Sequence, residues 1–306
     1  MPAKTMSGSQ LWAIQGLLAL ICLACSDHQN GKPTNDAASQ DGGGRAFTFI
    51  SAGRGNTCGL RGDGIATCWG QDLWGESVPP HGNFTYLSAG GYHTCAVTAQ
   101  SSVLCWGEDS FGQSSPPVGT YASIAAHGSE YHTCGILSPA AAVCWGDDRY
   151  GQSTPASGSY LSVSVGLWHT CGVTTDHALA CWGDNTYGQS APPVGSFLDV
   201  SGGAFFTCGL KMDGTIVCWG DSSFGQVDAP QGIFLSVSAG QGHACGVRTD
   251  GSLACWGNDH WGQASPPQGS YVSVTAGDSH SCALAGDGAV LCWGDNSLGE
   301  CTPPEP

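Results

Sequence analysis

The chain has 306 residues, and 24 acidic against 8 basic side chains give it a formal net charge of −16. This charge argues against a protein that holds DNA or RNA, because phosphate contacts need clustered Lys and Arg. Charged residues make up 10% of the chain, against about 25% in an average soluble domain, and the 48 glycines suit many tight turns between short strands.

The first 25 residues have the pattern of an export signal. Lys4 supplies a weak positive charge, and residues 11–24 form an apolar stretch that is shorter than the roughly 20 residues needed to span a bilayer. The stretch runs into the sequence CLACS, which resembles a bacterial lipobox, although two of its positions depart from the usual residues. We therefore expect Cys25 to carry a lipid and to become the mature N-terminus, with ordinary signal cleavage nearby as the alternative.

Residues 26–45 are polar and rich in Gly and Asp, which is typical of a flexible tether. They would join the anchor to a folded domain over residues 46–306. The protein is thus expected to be a cell-envelope lipoprotein, or alternatively a secreted protein, that meets the membrane through its N-terminal lipid alone.

Seven copies of one motif, Cys, nine residues, then Cys-Trp-Gly, occupy that domain. They begin at Cys58 and recur every 37 residues, except for one step of 39 residues between Cys95 and Cys134. A period of this length indicates a repeat architecture in which each unit buries its apolar face against the next.

Each repeat predicts three short strands. In residues 160–165 apolar and small or polar residues alternate, the next strand starts at His169-Thr170-Cys171, and the third ends at Cys-Trp-Gly. An Asp-Gly pair joins the second and third strands in most repeats and is a strong hairpin signal. The strand that starts at Tyr160 has equivalents at Phe47, Phe84, Tyr121, Phe197, Phe234 and Tyr271.

The two cysteines of a motif lie symmetrically about the hairpin turn, so they should face each other across the strands, about 4.5 Å apart at Cα. Zinc is the alternative, but zinc ligands usually come as closely spaced pairs, which do not recur here. We predict seven disulfides within hairpins, and hence an oxidising compartment. The pairs are Cys58–Cys68, Cys95–Cys105, Cys134–Cys144, Cys171–Cys181, Cys208–Cys218, Cys245–Cys255 and Cys282–Cys292.

Seven such units are most simply arranged as blades around an axis. The runs A-G-x-x-H-T-C and C-W-G-[DN]-[DN]-x-[aromatic]-G-Q, over about residues 46–304, resemble the regulator of chromosome condensation repeat family. Within it, the form W-G-D-N-x-x-G-Q is most similar to the bacterial, exported beta-lactamase-inhibitory protein type II. The resemblance implies an all-β, seven-bladed β-propeller of 37-residue repeats, although the cysteine pairs depart from both relatives.

Positions that stay constant across the repeats are interpreted as structural. The tryptophan of each Cys-Trp-Gly is expected to pack between blades. Five histidines could suggest a metal ring, but the other two repeats carry Asn56 and Phe206 there, which favours structural hydrogen bonds: His93, His132, His169, His243 and His280. The Asp and Asn residues of the loops could suggest calcium binding, but they lack the spacing of an EF-hand loop, and both residue types stabilise turns on their own. No cofactor or metal is predicted, and Cys301 is left as a free thiol or an intermolecular link.

Two loops should emerge on one face: the HTC loop, which enters the His-Thr-Cys strand, and the CWG loop, which follows Cys-Trp-Gly. Packing against the neighbouring blade is one interpretation of their aromatic residues, and a ligand or protein interface in blades two to five is the other. The HTC-loop candidates are Tyr92, Glu130, Tyr131, Trp168, Phe205 and Phe206. The CWG-loop candidates are Trp74, Phe111, Tyr150, Tyr187, Phe224 and Trp261.

These features favour a monomeric, non-catalytic protein that captures an extracellular or envelope protein. In the inhibitor that the chain resembles, the same face binds the target enzyme, so inhibition of an extracellular hydrolase such as a beta-lactamase is the alternative. A propeller lyase or hydrolase is less favoured, because no Gly-x-Ser-x-Gly elbow and no unrepeated His/Asp/Glu cluster stands outside the repeat register.

Overall fold

A computed structural model of the protein describes residues 46–127 and 131–304. The predicted export signal with Cys25, the tether and the loop residue Glu130 lie outside these ranges. Within them the chain forms seven antiparallel sheets of three consecutive strands each, one sheet for each repeat. No helix in this part of the chain is long and apolar enough to cross a membrane.

Each sheet is one blade, and its strands follow the chain from the centre outward. The inner strands are β1 (Phe47–Ala52), β4 (Phe84–Ala89), β7 (Tyr121–Ala125), β10 (Tyr160–Val165), β13 (Phe197–Gly202), β16 (Phe234–Ala239) and β19 (Tyr271–Ala276). The middle strands are β2 (Asn56–Arg61), β5 (His93–Thr98), β8 (His132–Leu137), β11 (His169–Thr174), β14 (Phe206–Lys211), β17 (His243–Arg248) and β20 (His280–Ala285). The outer strands are β3 (Ala66–Gly70), β6 (Val103–Gly107), β9 (Ala141–Gly146), β12 (Leu179–Gly183), β15 (Ile216–Gly220), β18 (Leu253–Gly257) and β21 (Val290–Gly294).

The seven inner strands line one central channel, so the predicted seven-bladed β-propeller is confirmed. Every inner strand begins at the residue that the alternation predicted. Apolar residues pack between successive blades rather than inside a single sheet, as where Ile136 of blade 3 packs with Tyr160 and Trp182 of blade 4.

The seven hairpin disulfides are also confirmed. Paired cysteines lie directly opposite each other on the middle and outer strands, with Cα atoms 4.0 Å apart. The zinc alternative is therefore wrong for these residues. Each bond closes a short loop and contributes somewhat under ~3 kcal/mol in the chain-entropy model.

The repeated tryptophans join neighbouring blades, as predicted. The Nε1–H of Trp182 donates to the backbone carbonyl of Gln152 in the preceding blade at 2.8 Å, and the other six make the equivalent bond at 2.8–2.9 Å. The junction of blades 7 and 1 uses the same contact, from Trp69 to the carbonyl of Glu300 at 2.9 Å. The ring thus closes through contacts between blades 7 and 1, and each described sheet remains continuous in sequence.

Candidate binding face

Each CWG loop is held from inside by its own side chains. In blade 3 the buried Gln152 accepts a hydrogen bond from the N–H of Tyr150 at 2.8 Å and donates one to Asp147 at 3.1 Å. A Gln or Glu accepts the equivalent backbone bond in every blade. The residue before the loop glycine therefore faces solvent, with 43–61% of its surface exposed: Trp74, Phe111, Tyr150, Tyr187, Phe224, Trp261 and Leu298.

Ring contacts join the CWG loop of one blade to the HTC loop of the next. Three successive pairs have ring centroids 4.8–5.3 Å apart: Phe111–Tyr131, Tyr150–Trp168 and Tyr187–Phe205. Two contacts between neighbouring HTC loops lie at 6.3 and 5.5 Å: Tyr92–Tyr131 and Trp168–Phe205. The two loops therefore share one face, as predicted, and we call these seven residues the aromatic arc.

Phe206 is a correction to the predicted binding set, because it is fully buried. It is the first residue of β14, in the register that histidine fills in five other blades, and it packs in a core cluster with Phe234 and Val237. Neighbouring residues of an extended chain point to opposite sides. The pair Phe205–Phe206 thus supplies one half-buried residue to the loop face and one to the core.

Two arginines lie over rings of the aromatic arc. The guanidinium of Arg149 is 5.2 Å from the ring centroid of Phe111 and also pairs with Asp147 at 2.9 Å. Arg54 lies 4.9 Å from the ring centroid of Tyr92 and donates a hydrogen bond to its hydroxyl. These cation–π contacts hold the two cations at the aromatic surface.

Outside the arc, the HTC loops carry small or polar residues. In blades 6, 7 and 1 the HTC loop has small residues in place of the aromatic one: Gly242, Ser279 and Gly55. Beside them, Asp278 approaches Arg54 at 3.8 Å and accepts a hydrogen bond from Gln241 at 3.5 Å. Phe224 and Trp261, although exposed, therefore have no aromatic residue in the HTC loop of the next blade to contact.

The five histidines have the structural role that the repeat register predicted. Each Nε2 lies 2.7–3.0 Å from the hydroxyl of a Thr or Ser in the next blade, as in His169 with Thr207 at 2.8 Å. Burial lowers the pKa of His169 to about 3 and that of His93 to about 4. The imidazoles are therefore neutral at ordinary pH.

The loop carboxylates are engaged as turn acceptors. Asp148 accepts the N–H of Ser153 at 2.8 Å, and Asp259 accepts that of Ala264 at 2.8 Å. Within residues 46–127 and 131–304, no group of three or more His, Cys, Asp or Glu side chains is arranged to hold a metal ion.

Two features escaped sequence reasoning. Arg54 and Arg149 lie at loop positions where the other repeats have no arginine. Their contacts therefore depend on the conformation of their own loops. Asp199 of β13 lines the central channel at a position where Ser123, Ser162, Ser236 and Ser273 stand in other blades. The change from Ser to Asp at this position of the repeat is the feature of the sequence that could have pointed to Asp199.

Five segments of the chain match the regulator of chromosome condensation (RCC1) repeat: residues 84–113, 161–189, 197–226, 234–263 and 271–300. The chain belongs to the regulator of chromosome condensation repeat family. No curated protein sequence matches this repeat protein.

Solved structures are similar to this RCC1-repeat propeller over most of its length. The ectodomain of the receptor kinase CR4 from Physcomitrella patens has a TM-score of 0.70 and 26% identity, covering 81% of this chain and 74% of that one. The ectodomain of the receptor kinase ACR4 from Arabidopsis thaliana has a TM-score of 0.68 and 26% identity, covering 83% of this chain and 98% of that one. Prp20p from Saccharomyces cerevisiae, at 16% identity and a TM-score of 0.65 over 76% of this chain and 81% of its own, shares the fold.

Proposed function

We propose that this propeller is an exported, non-catalytic binding protein that captures a partner protein on its aromatic arc. The observation that carries the proposal is the pair of neighbouring ring clusters in blades 2–5, whose CWG-loop members are 43–53% exposed. Clustered Tyr, Trp and Phe next to Arg are the residues that dominate binding energy in protein interfaces. A loop face that combines such rings with many carboxylates suits a partner that presents apolar and basic side chains.

Export is supported by two observations. Seven disulfides persist in an oxidising compartment, and the two neighbours at 26% identity are ectodomains of receptor kinases. A lipid on Cys25 would hold the protein at the envelope. Metabolic labelling with a fatty acid tests this anchor: the full chain should incorporate label and fractionate with membranes, and Cys25→Ser should do neither. Equal labelling of both would refute the anchor without touching the binding proposal.

Capture of a partner is tested with the mature protein on beads, exposed to envelope and secreted proteins of the source organism. The test variant is Tyr131→Ala with Trp168→Ala, and the matched control is Phe224→Ala with Trp261→Ala in the neighbouring blades. The wild type and the control should retain the same partner, whereas the test variant should lose at least about tenfold in affinity, as removal of interface anchors does. Equal losses in both variants, or none in either, would contradict binding on the arc.

A further inference from the structure

The central channel has a volume of about 320 Å³ and is walled by the inner strands of all seven blades. Inward-facing side chains form two rings, one at the third residue of each inner strand and one at the fifth. A channel of this size is at the lower end of small-molecule sites. The two rings differ in what their polar atoms do.

The ring at the fifth residue holds the propeller together. Ser51 accepts the N–H of Ala89 in the next blade at 3.0 Å, and the same bond recurs at 2.9–3.0 Å around the ring. The other hydroxyls that accept such a bond belong to Ser88, Ser164, Ser201, Ser238 and Thr275. These side chains are engaged in joining blades.

The ring at the third residue is not engaged in this way. Asp199 accepts the N–H of its neighbour Val200 at 2.9 Å, and none of the ion pairs found in the described residues involves it. On the blades to either side, the enclosed hydroxyl oxygens of Ser162 and Ser236 have no hydrogen-bond partner among the described residues. A carboxylate flanked by two enclosed, unpartnered hydroxyls is costly to bury without a ligand.

The wall opposite Asp199 is aromatic. In a ring of seven blades, blade 5 lies across the axis from the junction of blades 1 and 2, and the third residues there are Phe49 and Tyr86. Their ring centroids are 4.8 Å apart, with planes inclined by 50°. Burial, followed by the charge of Asp199, raises the pKa of Tyr86 to about 12, so the phenol stays neutral.

The two ends of the channel differ. At the loop face, His127 of blade 3 lines the channel, and burial lowers the pKa of its imidazole. At the opposite end, the residues that immediately precede the ring at the third position include three apolar side chains with 50–59% of their surface exposed: Leu161, Leu235 and Val272.

We propose that the channel binds the ammonium group of a small alkyl amine between Asp199 and the Phe49–Tyr86 pair. A primary ammonium has three N–H donors, which match the carboxylate of Asp199 and the hydroxyls of Ser162 and Ser236. The aromatic pair adds cation–π attraction on the opposite wall. This site is independent of the aromatic arc and needs no partner protein.

Calorimetric titration of the whole protein with n-butylammonium tests the proposal, with tetramethylammonium, potassium ion and n-butanol as comparison ligands. Butylammonium should bind, and each comparison ligand should bind at least about tenfold more weakly, because it lacks either the charge or the N–H donors. The titratable groups lining the described channel are Asp199, Tyr86 and His127. As burial raises the pKa of Asp199 to about 6, affinity should fall about tenfold from pH 8 to pH 5.

Asp199→Asn should weaken butylammonium binding by at least about tenfold, whereas Asp213→Asn, on an exposed turn of the same blade, should keep it within about twofold. Ser162→Ala with Ser236→Ala should weaken it without changing near-UV circular dichroism, which reports folding. Absence of butylammonium binding by the wild type would overturn the proposal. So would equal binding by Asp199→Asn, or potassium or tetramethylammonium binding as tightly as the amine.

Discussion

The indole of Trp168 stacks on the phenol of Tyr150, with ring centroids 4.9 Å apart and planes inclined by 22°. Tyr150 belongs to the CWG loop of blade 3 and Trp168 to the HTC loop of blade 4. The contact therefore crosses a blade junction at the surface, whereas the Trp182–Gln152 hydrogen bond holds the same junction inside. Substitutions in the aromatic arc and substitutions in the buried blade junctions can therefore be tested separately.

Two tryptophans of blade 4 should differ sharply in their effect on stability. Trp182 is 8% exposed and donates to Gln152 in the preceding blade, so Trp182→Ala should lower the free energy of unfolding by about 3–5 kcal/mol. Trp168→Ala should cost less, about 1 kcal/mol, because Trp168 is only half-buried. Denaturant unfolding of both variants measures this difference. A loss of unfolding free energy in Trp168→Ala as large as that in Trp182→Ala would show that the aromatic arc is part of the hydrophobic core.

The buried histidines should make the propeller sensitive to acid. His169 has a pKa of about 3 in the folded protein, below its ordinary value of 6.5, so the unfolded chain binds more protons below pH 6.5. Stability is therefore present above pH 6.5 and is lost as pH falls toward the folded pKa. His169→Asn, the residue found at position 56, should reduce this loss by on the order of 1–2 kcal/mol between pH 6.5 and 4.5.

Denaturant midpoints across that pH range give the comparison, with the exposed His260→Asn as the control. An unchanged pH dependence in His169→Asn would mean that the imidazole is charged when buried. That would contradict its neutral role in bonding Thr207 of blade 5.

Asp199 should oppose folding at neutral pH. Burial raises its pKa from 3.8 to about 6, so the stability of its protonated form is full below pH 3.8 and is lost as pH rises through 6. Asp199→Asn should therefore raise the free energy of unfolding by on the order of 1–3 kcal/mol at pH 7.5 and change it little at pH 4. Denaturant unfolding of the wild type and Asp199→Asn at the two pH values tests this. If Asp199→Asn is less stable than the wild type at pH 7.5, the ionised carboxylate is stabilised in the folded protein, which would contradict the prediction.

Cys301 should react slowly. Its thiol donates to the carbonyl of Asp295 at 3.0 Å, as serines do in this loop position, and burial together with the charges of Glu300 and Asp295 raises its pKa to about 12. Alkylation at pH 8, followed by peptide mass spectrometry, should label Cys301 at least about 100-fold faster in unfolded than in folded protein. Cys301→Ser should leave the unfolding midpoint unchanged. Rapid labelling of the folded chain would indicate an accessible thiol.

The repeat made most of the fold predictable. Strand starts and cysteine pairs follow from local periodicity and hairpin symmetry, which need no knowledge of the closed ring. The aromatic wall opposite Asp199 could not be predicted in the same way, because Phe49 and Tyr86 face it across the channel only when the seven blades close into a ring. The contacts of Arg54 and Arg149 depend on loop conformations that the repeat does not specify.

The central claim, binding on the aromatic arc, is tested most directly by oxidative footprinting of the propeller with its captured partner. Trp168, Tyr150 and Tyr187 should be protected in the complex, whereas Met212, exposed at the β14–β15 turn on the opposite face, should be oxidised as fast as in the free protein. Protection of Met212 with unchanged oxidation of Trp168 would contradict the account.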